Sequence, residues 1–147
     1  MTTTAHGASR LSDSSAAATP AVTLLRRFLA LDAVVTTGNG LLYLAFSTWA
    51  GDLLGVSPTA LVGIGAFLTV FGLGVAALAM SKNPARGGTT FVIDANFLWA
   101  AASVVVALFG LMGANTIGTV WTIMQAGTVA GFAALQLFAL TKLKSAE

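Results

Sequence analysis

Charge is missing from most of this chain, and the gaps are long. Ala33–Gly51 runs for 19 residues without a charged side chain, Leu53–Ser81 for 29 and Ala95–Thr141 for 47. A helix needs about 20 apolar residues to cross a bilayer, within a range of about 17–25. The third run is too long for one span and must turn. "GLMGANTIG", Gly110 to Gly118, has the Gly/Asn content of a tight turn. The pattern predicts an all-α fold, a four-helix transmembrane bundle with spans over about 28–50, 59–80, 91–112 and 117–140. "SPT" at Ser57–Thr59 reads as an N-cap followed by proline at the first helical position, and all three prolines (Pro20, Pro58, Pro84) fall outside the expected helices.

Composition supports the bilayer as solvent. Of 147 residues, 56% are hydrophobic and 8% charged, against about 45–50% and about 25% in soluble domains. No cysteine is present, which excludes disulfides and thiolate chemistry. The single histidine, His6, lies in a polar tail, so none is available in the membrane as a metal ligand, haem ligand or proton relay. No cofactor, no metal and no nucleic-acid partner is expected. Residues 1–23 are Ser/Thr/Ala-rich at the start and read as a disordered tail; residues 24–141 form the membrane domain and 142–147 a short second tail.

The seven basic residues set the topology. Arg10, Arg26 and Arg27 precede the first span, Lys82 and Arg86 lie between the second and third, and Lys142 and Lys144 follow the fourth. The other two loops have none. Under the positive-inside rule both termini are cytoplasmic, and the location is the cell membrane.

Sliding the chain on itself by 57 residues pairs Asn39 with Asn96, Leu41 with Leu98, and "GVAAL" at Gly74–Leu78 with "GFAAL" at Gly131–Leu135. Each half then becomes a helical hairpin, and the two tandem hairpins form a parallel repeat about an axis normal to the membrane. This offset sets Asp32 opposite Thr89 and makes an asparagine pair the symmetric feature.

Polar residues mark one stripe per helix. Asp32, Thr36, Asn39 and Tyr43, spaced by 4, 3 and 4, share a face of the first span. Asn96, Trp99 and Ser103 share one on the third, and Gln125, Thr128 and Gln136 one on the fourth. These stripes have two readings. One is a polar path, with Asp94, Asp32, Asn39, Asn96, Thr36, Tyr43, Gln125 and Gln136 as its candidate residues, because ionisable groups inside membranes are costly and functional by default. The simpler reading is interhelical glue, each such bond contributing about 0.6 kcal/mol. Asp32 lies five residues past Arg27, about 7 Å along a helix, where the helix start and the basic ring favour an anion. Asp94 reads as an N-cap or as a residue one turn inside, and is the first acid to mutate. Asp52 reads as a solvated loop acid. Gly127 and Gly131 form a GxxxG opposite the glutamines, suited to helix 2 or to a second protomer. Gly72 and Gly74 are further packing positions. Trp49 and Trp121 suit an outer aromatic belt, while Trp99 is deeper.

The stretches "LDAVVTTGNGLLYLA", "GDLLGVSPTALVGIGAFLTVFG" and "NFLWAAAS" resemble the small four-helix integral membrane proteins of actinobacteria, across roughly residues 24–140. The resemblance implies a fold and a membrane location. It carries over no catalytic residue, because no activity is assigned to that family.

No phosphate loop, GxSxG or HExxH is present. The expectation is a non-enzymatic membrane module, with the lipid bilayer and either further copies of itself or a larger membrane complex as partners. The alternative is a small carrier or channel with its polar path on the first, third and fourth spans. An enzyme acting on lipid would need a headgroup pocket beside Asp94.

Overall fold

The computed structural model describes the backbone of residues 3–145 and the side chains of residues 20–145. The described residues form five helices and no strand: α1 (Thr3–Ala45), α2 (Ser47–Leu54), α3 (Pro58–Met80), α4 (Arg86–Phe109) and α5 (Thr116–Ser145). Four stretches are long and apolar enough to cross a membrane: Pro20–Ala45, Pro58–Met80, Arg86–Phe109 and Thr116–Ser145. Only 22–33% of each is buried inside the bundle. The rest presents Val34, Val70, Leu98, Leu108 and similar side chains outward. A soluble monomer rarely exposes apolar surface on that scale, whereas helices of this length and composition suit a bilayer. The chain is an all-α bundle of membrane-spanning helices.

Several boundaries differ from the sequence reading. The helix of the first span begins far upstream of residue 28. It packs from Ala21 onward, with Leu25 and Leu29 fully buried beside Val75 and Leu140. Pro20 therefore lies inside α1, not outside it. The expected tail over residues 1–23 falls mostly on side chains outside the described set. At the other end α5 runs on through Ser145, and Leu143 is buried where a tail was expected. The apolar pattern hid these ends because the bundle extends past the charge-free runs and buries residues beside its basic side chains. Arg26, for example, donates from Nε to the Ala79 carbonyl at 2.9 Å, joining α1 to the end of α3.

The connection between the first two spans also differs. The first span stops at Ala45, and α2 follows after a bend at Phe46. Pro58 does open α3, with Ser57 as its N-cap, but the Ser57 side chain makes no capping bond. The turn after α4 is where the glycines place it: Gly110 caps the helix with φ 62, a left-handed conformation that glycine adopts without penalty. Asn115 then caps α5, accepting the Gly118 N–H at 2.9 Å through Oδ1. Its Nδ2 also donates to the Leu53 carbonyl at 3.0 Å, tying the α4–α5 connection to α2.

The helices pack as two hairpins. α1 lies along α3, α5 along α4, and α1 against α5 joins the halves. α1 and α3 approach closely through glycine. A Cβ on Gly40 would stand 2.7 Å from the Thr69 backbone N and 2.8 Å from the Gly65 carbonyl, and one on Gly72 would stand 2.8 Å from the Thr37 backbone N. α3 and α4 have little backbone contact and meet through side chains, Phe67 stacking on Trp99 with centroids 5.3 Å apart.

Candidate functional site

Asp32 is the centre of the buried polar structure. It is 0% exposed. Thr36, one turn further along α1, donates from Oγ1 to Oδ1 at 2.8 Å. Asn96 on α4 donates from Nδ2 to Oδ2 at 2.7 Å. Gln136 on α5 donates from Nε2 to the same oxygen at 2.7 Å. Asn96 also reaches Gln136 Oε1 at 3.3 Å, closing a triangle. Three spans are thus tied at one carboxylate, and all three partners are neutral. No buried side-chain polar atom among the described residues lacks a partner. This completeness matters, because an unsatisfied buried polar group costs about 1–3 kcal/mol.

The reading of Asp32 as a helix-start anion is corrected by this geometry. α1 begins at Thr3, so Asp32 is nowhere near the free N–H groups of a helix terminus. It faces the bundle interior rather than the basic ring. Asp94 is corrected as well. The N-cap of α4 is Ala85, Asp94 lies eight residues beyond Arg86, and its side chain is exposed on the outside of the bundle. The two aspartates take opposite faces of the structure, and Asp32 is the one held by other side chains.

A second polar layer lies further along α1, toward α2. Asn39 donates from Nδ2 to Gln125 Oε1 at 3.0 Å, joining α1 to α5. Trp121 Nε1 donates to the Tyr43 hydroxyl at 2.7 Å. Trp121 therefore faces inward and does not stand in an outer belt; Trp49, 61% exposed, does face outward. Thr128 leaves the expected stripe, bonding its own helix at the Met124 carbonyl on the exposed side.

The asparagine pair is not symmetric. Asn39 meets Gln125, whereas Asn96 meets Asp32 and Gln136. Burial at related positions does repeat, since Asp32 and Thr89 are both 0% exposed. Thr89 bonds only its own helix, at the Ala85 carbonyl, so the chemistry does not.

Of the packing glycines, Gly72 sits in the α1–α3 contact. Gly74, Gly127 and Gly131 do not: a Cβ at each would meet nothing within 4 Å. The GxxxG is open on the outside of α5 and is not used against α3. Gly40 and Gly65 pack in the α1–α3 contact together with Gly72, although neither was among the expected packing positions.

A cavity of about 200 Å³ lies between the four spans, from Thr36 toward the end of α2 and the start of α5. Asn39, Tyr43, Trp99, Ser103, Trp121 and Gln125 supply its polar and aromatic lining, and no charged side chain lines it. Asp32, Asn96, Gln136 and Asp94 are not among its walls. The molecule is by its structure a multi-pass α-helical membrane protein with a sealed carboxylate hub beside a neutral cavity. Comparison with family models, with curated proteins and with solved structures finds no match to this chain.

Proposed function

We infer that this protein is a non-enzymatic membrane module, inserted in the cell membrane with both termini cytoplasmic, that self-associates or serves as an accessory subunit of a larger membrane complex. The observation that carries the reading is the state of Asp32. It is the one buried carboxylate among the described residues, and its oxygens are taken by Thr36, Asn96 and Gln136. A group so enclosed has no room for a substrate and acts as a tie between spans. The open GxxxG of α5 supports association, since glycines there let a second helix approach closely.

The carrier reading would need a polar path that reaches Asp32 or Asp94. The cavity ends at Thr36, and Asp94 faces away from the bundle interior. The experiment is to reconstitute the full chain into proteoliposomes and count protomers per particle by single-molecule photobleaching. The module predicts more than one protomer or a co-purifying subunit, no proton flux above protein-free liposomes, and weaker association in Gly127→Leu with Gly131→Leu. A proton flux abolished by Asp32→Asn in a folded protein would overturn it.

A further inference from the structure

The geometry points to the cavity beside Thr36 as a binding site for a small, uncharged aromatic molecule of one or two rings that carries a hydroxyl or another hydrogen-bonding group. Size comes first. An apolar cavity of about 150 Å³ suffices for benzene, and drug-sized pockets run to about 300–1,000 Å³. At about 200 Å³ this cavity holds a ring compound and little more.

Charge comes next. All the lining side chains are neutral, so an ionised ligand would enter without a partner at a large desolvation cost. Shape follows from the walls. Tyr43 on α1, Trp99 on α4, and Trp121 and Phe132 on α5 present four rings around the space. Ring faces and edges favour offset or edge-on contact with another ring.

The hydrogen-bonding group is specified by what the protein leaves free. Gln125 gives its carbonyl to Asn39, and its amide N–H groups have no partner among the described residues. Turned either way, a carboxamide making one bond keeps its other polar group free. The Ser103 hydroxyl on the α4 wall likewise bonds nothing among the described residues. Elsewhere the interior polar groups are tied off, as at Asp32. Here two stand open on facing helices, which a lipid tail would leave unsatisfied and a phenolic hydroxyl would engage.

The test uses the full chain in nanodiscs with two probes of nearly equal shape, 4-fluorophenol and 4-fluorotoluene, followed by fluorine NMR against empty nanodiscs. Saturable binding of 4-fluorophenol at one site per chain is expected, about tenfold tighter than 4-fluorotoluene, as one net hydrogen bond implies. Gln125→Leu, close in volume, should reduce that preference while the toluene still binds, and Ser103→Phe should fill the cavity and exclude both. Because the preference is read on the unaltered protein, a variant that fails to fold does not shield the proposal. Equal affinity for the two probes, no saturable binding, or a retained phospholipid that 4-fluorophenol does not displace would each overturn it.

Discussion

Asp32 Oδ2 and Asn96 Nδ2 meet at 2.7 Å although the α1 and α4 backbones stay more than 8 Å apart between Cα atoms. The contact between these two spans is therefore made by side chains, and the hub holds α4 to the first hairpin through polar groups rather than through backbone packing. Replacing Asp32 by Leu removes the acceptor of all three bonds and leaves the fully buried Gln136 amide N–H groups without one. We expect Asp32→Leu to lower unfolding stability in detergent by about 1–3 kcal/mol, the cost of buried groups left unpaired. Exchanging the residues, Asp32→Asn with Asn96→Asp, keeps one acceptor and the same donors within the triangle and should recover at least half of the loss. A swap no more stable than Asp32→Leu alone would show that the position of the carboxylate, not the bonding pattern, matters.

The glycines of α1 and α3 make a sharper steric prediction. Gly40→Ala and Gly72→Ala each drive a methyl into backbone of the facing helix. Backbone cannot swing aside as a side-chain end can, so each should cost about 1–3 kcal/mol through overpacking. Gly63→Ala and Gly74→Ala meet open space on the outside of the bundle and should be neutral or stabilising by about 0.5–1 kcal/mol, since alanine is the better helix former. Thermal unfolding of the four variants under one detergent condition checks the ordering.

The Tyr43–Trp121 bond joins α1 to α5 at the cavity wall. A double-mutant cycle with Tyr43→Phe and Trp121→Phe isolates it, because each change removes one partner of the bond. The coupling should be near 0.6 kcal/mol, as for other interhelical bonds in membranes. A coupling of zero from unfolding measurements would mean that the two rings pack without a bond.

Much of this architecture was legible in the sequence, and the boundary of legibility is physical. Charge-free runs, the Gly110–Gly118 turn and Pro58 place four spans because hydropathy and helix breakers act locally. The stripe of Asp32, Thr36, Asn39 and Tyr43 correctly gathers residues that face the interior, since helical spacing alone decides that. Which stripe meets which was not readable. Asn96 and Gln136 reach Asp32, and Gln125 reaches Asn39, through the vertical register of three helices, and no local signal records register. Between the N-cap and the interior positions read for Asp94 the sequence alone does not decide; the helix takes in "GGTT" before it and so places Asp94 inside α4. Gly40 and Gly65 do not stand out in the sequence because a glycine at a helix crossing and a glycine on the outer surface of the bundle, such as Gly74, look alike until the partner helix is in place.

The absence of cysteine in the native chain makes the topology directly measurable, since any single introduced thiol is labelled without background. Ser145 ends α5 beyond Lys142 and Lys144, and its side chain is exposed. Ser57 precedes α3 on the opposite side of the bundle, in a connection without a basic residue, and is also exposed. With the positive-inside rule fixing orientation, Ser145→Cys should react with a membrane-impermeant maleimide only after cells are opened, whereas Ser57→Cys should react in intact cells. Odd and even connections must behave oppositely if four spans cross the membrane, so labelling of both positions from the same side would contradict the number of crossings. Reversed labelling of the pair would retain the four spans and place the Asp32 hub nearer the outer face, with the cavity opening toward the cytoplasm.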